Sequence, residues 1–187
     1  MSALGHTLFD SALGTCAIAW GEHGVIAVQL PEADAPSTRV RLLRRWPALP
    51  PAPPPDEVLE AIGGICALLR GEPVDLGDLR LDMRDIAPLP RRVYEIARAI
   101  PRGQTLSYGE IAQRLGDKAL ARAVGQALGR NPFAPVVPCH RVLAANGQPG
   151  GFSAHGGVHT KLRMLAIEGA CSGPQGDLFS VPQDEPS

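Results

Sequence analysis

The stretch Ser107-Tyr-Gly-Glu-Ile-Ala-Gln-Arg-Leu-Gly-Asp117, together with residues 118–129, decides how the second half of this chain folds. The Ser107 side chain can accept a bond from the Glu110 backbone, and the Glu110 carboxylate can return one, which predicts a capping box and a short helix. The Gly-Asp pair ends that helix. Residues 118–129 predict a second helix with small residues along one side. Two short helices joined by a tight, glycine-containing turn are typical of a helix-turn-helix.

The first part of the chain predicts a small antiparallel sheet. Residues 15–20 and 25–30 are rich in residues that favour strands, and turn signals stand at residues 10–14 and 21–24. Strands separated by such short turns pair as neighbours, so the pattern predicts an antiparallel meander.

Two helices and a stiff loop follow these strands. Residues 37–46 predict a short amphipathic helix with Ser37 as its cap. Residues 56–70 predict a second helix, because apolar side chains recur there at helical spacing. Residues 47–55 are mostly proline and lack N–H groups, so this segment predicts an extended surface loop.

Length and composition set the class of protein. The 187 residues are 44% hydrophobic and 20% charged, which favours one ordinary domain or two small ones with a packed core. No apolar run is long enough for a membrane span, and the four cysteines include no C-x-x-C pair, so we predict a cytoplasmic protein. We predict an α+β fold: an N-terminal α/β domain with an antiparallel sheet over 1–83, a mostly helical C-terminal domain with the helix-turn-helix over 84–172, and a flexible tail over 173–187.

Charge is distributed unevenly along the chain. The net charge is −1, but residues 84–145 carry 10 basic and 4 acidic side chains, whereas residues 1–83 carry 6 basic and 11 acidic ones. A basic middle between acidic flanks is either a polyanion-binding face or a solvated surface with chance clustering.

A cysteine beside a histidine stands in the proline-bounded segment Pro138-Cys-His-Arg-Val142. A thiol must become a thiolate before it attacks carbon, and a nearby base makes that possible. Adjacent side chains of an extended strand point apart, so His140 would act through a bridging water or after a sharp turn. A buried structural cysteine next to a hydrogen-bonded histidine is the alternative.

The wider sequence resembles the O6-alkylguanine-DNA alkyltransferases, or methylated-DNA–protein-cysteine methyltransferases, strongly over residues 90–170 and weakly over residues 7–83. The shared motifs follow the same order in the chain and are Thr105-Leu-Ser-Tyr108, Arg122-Ala-Val-Gly125, Asn131-Pro132, Pro138-Cys-His-Arg-Val142, Gly150-Gly-Phe-Ser153, Lys161 and Leu165-Ala-Ile-Glu-Gly169. Several motifs in one order are far more specific than any of them alone.

The resemblance implies a catalytic set. Cys139 would take an alkyl group from a damaged base in one irreversible step, and His140 would deprotonate it through water. Glu168 would orient and charge-stabilise that histidine. Asn131 would shape the turn around the cysteine. The family requires no cofactor.

The resemblance also implies a minor-groove DNA interface. Arg122 would enter the base stack as a finger, and Tyr108 would press on the 3′ phosphate to drive the base out. Ala123 and Gly125 would let the helix approach the groove closely, and Arg141 is assigned to the same DNA-binding set. Without the family, Arg122 is a phosphate contact or a surface charge, and Tyr108 is a core aromatic residue.

This chain departs from the family in the loop that lines the alkylguanine pocket, between Phe152 and Lys161. Phe152, Ser153 and Lys161 are the predicted substrate-binding residues, with Ser153 donating a hydrogen bond to the guanine O6. The loop is longer here than in many relatives, which leaves the width of the pocket open. His155 and His159 are simple loop residues or add a titratable wall.

We predict no metal site. Some relatives bind zinc in the N-terminal domain, but His6, Cys16 and His23 do not have that spacing. Cys16 and Cys171 are predicted to be structural or incidental, and the protein is predicted to be a monomer.

The tail over 173–187 contains a peptide that resembles the sliding-clamp-binding motif of bacterial replication and repair proteins. Its matching residues are Gln175, Asp177, Leu178 and Phe179. Either the tail docks on a clamp, or Leu178 and Phe179 pack on their own domain.

The predicted function is DNA repair by transfer of an alkyl group from O6-alkylguanine to Cys139. Two other classes stay open. One is a non-catalytic lesion-binding protein, against which the retained cysteine argues, because such relatives usually carry tryptophan there. The other is a transcriptional regulator, which the helix-turn-helix allows but which leaves the cysteine motif unexplained.

Overall fold

A computed structural model describes residues 4–170; the predicted tail and Cys171 lie outside them. A three-stranded antiparallel sheet in the first part and helices in the second confirm the predicted α+β class. None of the helices among these residues is long and apolar enough to cross a bilayer. The strands and helices, in chain order, are β1 (Gly5–Ser11), β2 (Gly14–Gly21), β3 (Gly24–Gln29), α1 (Ala35–Leu43), α2 (Asp56–Leu69), α3 (Pro88–Arg98), β4 (Leu106–Ser107), α4 (Tyr108–Leu115), α5 (Ala121–Gly129), β5 (Val142–Leu143) and α6 (Val158–Ile167).

The central strand β2 is buried on both faces, because α1 and α2 cover opposite sides of the sheet. Successive side chains of a strand point to opposite faces. Ile18 and Trp20 therefore pack with the apolar side of α2, whereas Ala19 packs with Leu42 of α1. The predicted meander is confirmed, with β1 and β3 flanking β2.

The first helix begins earlier than the sequence predicts. Asp34 caps it instead of Ser37, since the Asp34 carboxylate accepts a hydrogen bond from the Ser37 N–H at 2.8 Å. Pro36 lies in the first turn, where a missing N–H leaves no bond unmade. The helix also ends at Leu43, before the predicted Trp46.

The capping box of α4 is confirmed. The Glu110 N–H donates to Ser107 Oγ at 3.0 Å, and the Ser107 N–H donates to Glu110 Oε2 at 2.6 Å. Gly116 ends the helix with φ at +102°, a conformation that favours glycine. The predicted helix over 118–129 is divided in the structure, where a 3₁₀ turn (Lys118–Leu120) precedes α5.

Helix α3 packs against α4 and α5 to build the second core. Tyr94 of α3 donates its hydroxyl hydrogen to the Ala127 carbonyl at 2.8 Å, and its ring meets Phe133 edge to face at 6.2 Å between centroids. Helices α4 and α5 therefore pack on the same apolar core, which fixes their relative position.

Backbone bonds join the two parts of the chain beside the Cys139–His140 segment. The Val28 N–H of β3 donates to the Pro132 carbonyl at 2.8 Å. Val136 and Met164 pack within the core of the N-terminal sheet. The short strands β4 and β5 pair in parallel, with Leu106 opposite Val142. The sheet therefore supports the segment that precedes Cys139; a domain boundary between residues 83 and 84 stays a prediction.

Candidate active site

Cys139 begins a 3₁₀ turn (Cys139–Arg141), which is the sharp turn that the sequence allowed. Asn131 shapes the segment before it, because its Nδ2 donates to the Val137 carbonyl at 2.8 Å and its Oδ1 accepts from the Phe133 N–H at 2.9 Å. The cysteine is 7% exposed. The thiol is thus held at the base of a cleft by a chain of local hydrogen bonds.

His140 and Glu168 form a buried pair. His140 Nε2 lies 2.8 Å from Glu168 Oε1, and both side chains are almost fully excluded from solvent. Glu168 directly follows α6, so the packing of that helix brings it back to the Cys139 turn. The structure therefore joins Cys139, His140 and Glu168 as neighbours, although the last is distant in sequence.

The protonation states of His140 and Glu168 show which ring nitrogen of His140 can accept a proton. Burial alone would raise the pKa of Glu168, but hydrogen bonds from His140 and Arg141 outweigh it and lower this pKa to about 2. Burial lowers the pKa of His140, against the opposing effect of Glu168. The neutral ring then donates its Nε2 hydrogen to the carboxylate, which leaves the lone pair on Nδ1. This buried Nδ1 makes no hydrogen bond with residues 4–170.

The Cys139 thiol rests in its neutral form. Burial raises its pKa, and the opposing effects of Asn131 and Lys161 do not outweigh it. A neutral thiol is a weak nucleophile. The site therefore requires that a proton leave Cys139 at the time of reaction, and the Nδ1 of the next residue, His140, is a candidate acceptor because it makes no hydrogen bond with residues 4–170.

Arg141 is directed into the protein, and its assignment to the DNA-binding set stays a prediction. Its Nε and Nη2 donate to the two Glu168 carboxylate oxygens at 2.8 and 2.7 Å, and its Nη1 donates to the Ile100 carbonyl at 2.7 Å. The guanidinium is buried and its donors are directed inward. Arg141 helps to keep Glu168 ionised, so it also supports the histidine.

Lys161 also lies deeper than its assignment as a substrate-binding residue implies. It is fully buried, and its Nζ donates to the Val142 carbonyl at 2.6 Å. The Nζ lies 3.5 Å from the Tyr108 hydroxyl and 5.7 Å from the centre of that ring. Burial lowers the pKa of Lys161 to about 8. Its position supports Tyr108 and β5, and its assignment as a substrate-binding residue stays a prediction.

A cleft of about 480 Å³ opens at Cys139. Phe152 and Ser153 line it, and Ala134 faces it as well; that they bind substrate stays a prediction. Sequence reasoning missed the opposite wall, which comes from β3 and the end of α1. No local signal marks these residues, because only the folding of the sheet against residues 131–139 brings them there.

The residues assigned to the DNA interface lie together at the first turns of α4 and α5. Arg122 is exposed and makes no ion pair with residues 4–170. Tyr108 is half-buried, and a Cβ added at Gly125 would lie 3.9 Å from its ring. Ala123 is half-buried beside Arg122. Small side chains thus allow α5 to approach Tyr108, while the arginine extends outward.

Among residues 4–170, no three His, Cys, Asp or Glu side chains converge as metal ligands. The absence of a metal from the whole protein stays a prediction.

Known proteins are similar to this chain over most of its length. Residues 88–170 match the family model described as "6-O-methylguanine DNA methyltransferase, DNA binding domain". A methylated-DNA–protein-cysteine methyltransferase of Methanothermobacter thermautotrophicus is 36% identical over 81% of this chain and 78% of the relative. A DNA base-flipping protein of Thermus thermophilus is 42% identical over 68% of this chain and 86% of its own length.

A crystal structure of OGT from Mycobacterium tuberculosis in complex with DNA superposes with a TM-score of 0.72 at 32% identity, covering 88% of this chain and 92% of that one. The fold and site define a two-part protein with a reactive cysteine beside a buried His–Glu pair. The chain belongs to the methylated-DNA–protein-cysteine methyltransferase family.

Proposed function

We infer that this protein repairs alkylated DNA by direct reversal, transferring the alkyl group of O6-alkylguanine to Cys139. The observation that carries this proposal is the juxtaposition of the Cys139 turn with the His140–Glu168 pair, whose free Nδ1 has no other use among the described residues. The reaction consumes the protein, because a thioether is not readily undone.

The proposed step balances as a displacement at carbon. The Cys139 thiol proton passes through water to His140 Nδ1 as the sulfur attacks the alkyl carbon. The new S–C bond forms while the C–O6 bond breaks, and the departing electron pair stays on guanine. The proton returns to the base, so restored guanine and a neutral histidine result. Glu168 stabilises the transient imidazolium.

The target atom lies inside the duplex, so the nucleotide must leave the stack at a cost of a few kcal/mol. We propose that Arg122 enters the minor groove and fills the gap, while Tyr108 presses on the neighbouring phosphate. Ala123 and Gly125 permit the close approach of α5 to the groove. Binding of this kind is largely independent of sequence and weakens with salt.

The deciding experiment is intact-protein mass spectrometry after mixing with an O6-methylguanine duplex. We expect the mass to increase by one CH₂ unit, mapped to Cys139 and absent from Cys139→Ala. Cys66→Ala is the matched control, because Cys66 is a more accessible thiol on α2, away from the His–Glu pair. Gain at Cys66, or equal gain in Cys139→Ala, contradicts the proposal.

A second candidate is a lesion-binding protein without transfer, which the similarity to the Thermus base-flipping protein favours. It predicts tight binding to the O6-methylguanine duplex with no change in protein mass. The same experiment therefore separates the two functions.

We also propose that residues 173–187, outside the described part, dock on a sliding clamp through Gln175, Asp177, Leu178 and Phe179. Deleting 173–187 should abolish clamp binding and leave alkyl transfer intact. Equal clamp binding by the truncated protein contradicts this assignment. A monomer located in the cytoplasm stays a prediction.

A further inference from the structure

Two thiols outside the Cys139 cleft lie between the N-terminal sheet and α2. Cys16 belongs to β2 and is fully buried, whereas Cys66 belongs to α2 and is half-buried. Cys16 points to the same face of the sheet as Ile18 and Trp20, because alternate residues of a strand share a face. This is the face that α2 covers. The two cysteines are therefore distant in the chain but occupy one interface.

Both sulfur atoms contact the end of β1. The Cys66 thiol donates to the Asp10 carbonyl at 3.4 Å, and the Cys16 thiol donates to the Ser11 hydroxyl oxygen at 3.4 Å. Asp10 and Ser11 are consecutive residues, so only a few covalent bonds separate the two acceptor atoms. The two sulfurs thus approach the same point of the strand from different elements.

The ionisation of the two thiols agrees with this placement. Burial raises the pKa of Cys16 to about 11, a hydrogen bond with Ser11 opposes the rise, and the nearby Cys66 adds to it. Burial also raises the pKa of Cys66, and Arg70 opposes this rise. Both groups are therefore neutral thiols at neutral pH. Because the thiolate is the attacking species in thiol–disulfide exchange, we expect this pair to exchange slowly.

We propose that Cys16 and Cys66 form a reversible disulfide that joins β2 to α2, with a low-molecular-weight disulfide such as glutathione disulfide as the oxidant. The Cys66 thiolate, which is the more accessible, attacks the oxidant to form a mixed disulfide and releases one glutathione thiolate. The Cys16 thiolate then attacks the Cys66 sulfur and releases the second. Two electrons pass to the oxidant, and the two protein thiol protons pass to the two glutathione thiolates.

The bond lies where it can change stability without blocking the reactive site. Neither Cys16 nor Cys66 lines the Cys139 cleft, and Cys139 packs within the second core. A disulfide stabilises a protein mainly by restricting the unfolded chain, and the restriction grows with the length of the closed loop. The loop over 16–66 includes β3, α1 and most of α2. Oxidation should therefore make the N-terminal part harder to unfold.

The experiment uses the full chain with Cys139→Ala and Cys171→Ala, so that Cys16 and Cys66 are its only thiols. The protein is equilibrated with mixtures of reduced and oxidised glutathione, both in buffer and in denaturing urea. Intact mass follows the loss of two hydrogen atoms, and peptide mapping locates the bond. Cys16→Ala in the same background is the matched control, because it can form only the mixed disulfide at Cys66.

We expect the equilibrium constant for disulfide formation to be about a hundredfold higher in the folded protein than in urea, because the sheet and α2 hold the two sulfurs together. The oxidised protein should melt roughly 5–10 °C above the reduced one, and dithiothreitol should abolish the difference. An equilibrium constant no higher in the folded protein than in urea overturns the inference. A folded protein that keeps glutathione on Cys66 without losing two hydrogen atoms also overturns it.

Discussion

At the scale of single residues, the reactivity of Cys139 depends on its neighbours and not on the thiol alone. Its burial raises its pKa, so no standing thiolate exists to react with stray electrophiles. The proton acceptor is oriented by Glu168, which Arg141 in turn holds ionised. A protein that reacts once gains from this arrangement, because its single nucleophile is exposed to loss only when substrate completes the site.

The variant Glu168→Gln tests whether Glu168 orients and stabilises His140. The amide keeps the shape of the carboxylate but cannot stabilise an imidazolium, so we expect the single-turnover rate of methyl transfer to fall about a hundredfold. The measurement is the rate of mass gain at saturating duplex. Glu60→Gln, at an exposed position of α2, should react at the wild-type rate. Methyl transfer by Glu168→Gln at the wild-type rate would show that the His140–Glu168 pair has only a structural role.

Glu168 also makes the stability of the folded protein depend on pH in the acid range. The pKa of Glu168 is lowered in the folded protein from 4.5 to about 2, so its stabilising effect is complete above pH 4.5 and is lost as pH falls toward 2. The difference corresponds to roughly 3 kcal/mol of unfolding free energy. The lowered pKa of His140 acts in the same direction below its ordinary value of 6.5. Urea unfolding at several pH values should show wild type and Glu168→Gln converging in acid.

The control for this pH series is the free energy of unfolding of Glu168→Gln at neutral pH, where its difference from the wild type should be largest. Glu168→Gln leaves the Arg141 guanidinium buried without a carboxylate, which costs about 3–5 kcal/mol. A constant difference between the two proteins from pH 7 to 3 would contradict the linkage.

At the scale of elements, the capping box determines where α4 begins and therefore where Tyr108 stands. Ser107→Ala removes the hydroxyl that accepts the Glu110 N–H, and we expect it to lower the free energy of unfolding by about 1 kcal/mol. Gln113→Ala is the matched control, because this exposed side chain of the same helix makes no hydrogen bond with residues 4–170, and its loss should change stability by less than about 0.5 kcal/mol. Equal losses in urea unfolding would contradict the assignment of the Ser107 cap.

Predictability from sequence follows the distance between bonding partners. The Ser107–Glu110 box was predictable because its partners are close in the chain, and the Cys139–His140 motif because its residue types are specific. The bonds between Arg141 and Glu168 were not predictable, since the two residues are distant in the chain. The cleft wall from β3 and the end of α1 was equally hidden, because its residues line one cleft with Cys139 only after the sheet packs against the second half.

At the scale of the whole molecule, arginines of the second half fasten the connecting segment over 71–86. Arg98 Nη2 donates to the carbonyls of Leu76, Gly77 and Leu79 at 3.1, 2.7 and 2.9 Å. The same segment bonds to the sheet, because the Val25 N–H donates to the Arg80 carbonyl at 2.9 Å. Sheet and helices are thus joined through this segment as well as through the bond between Val28 and Pro132.

The variant Arg98→Ala tests whether these hydrogen bonds hold the segment over 71–86 in place. Loss of the guanidinium leaves several carbonyls of the segment without their donor, so we expect the free energy of unfolding to fall by about 1–3 kcal/mol. Arg92→Ala removes an exposed arginine from the same helix, whose one long contact is 3.5 Å to the Leu115 carbonyl, and should have little effect. Native-state proteolysis should then cut Arg98→Ala between residues 71 and 86, ahead of global unfolding, because the released segment opens locally. Identical stability and cleavage in the two variants would mean that the apolar core alone holds the parts together.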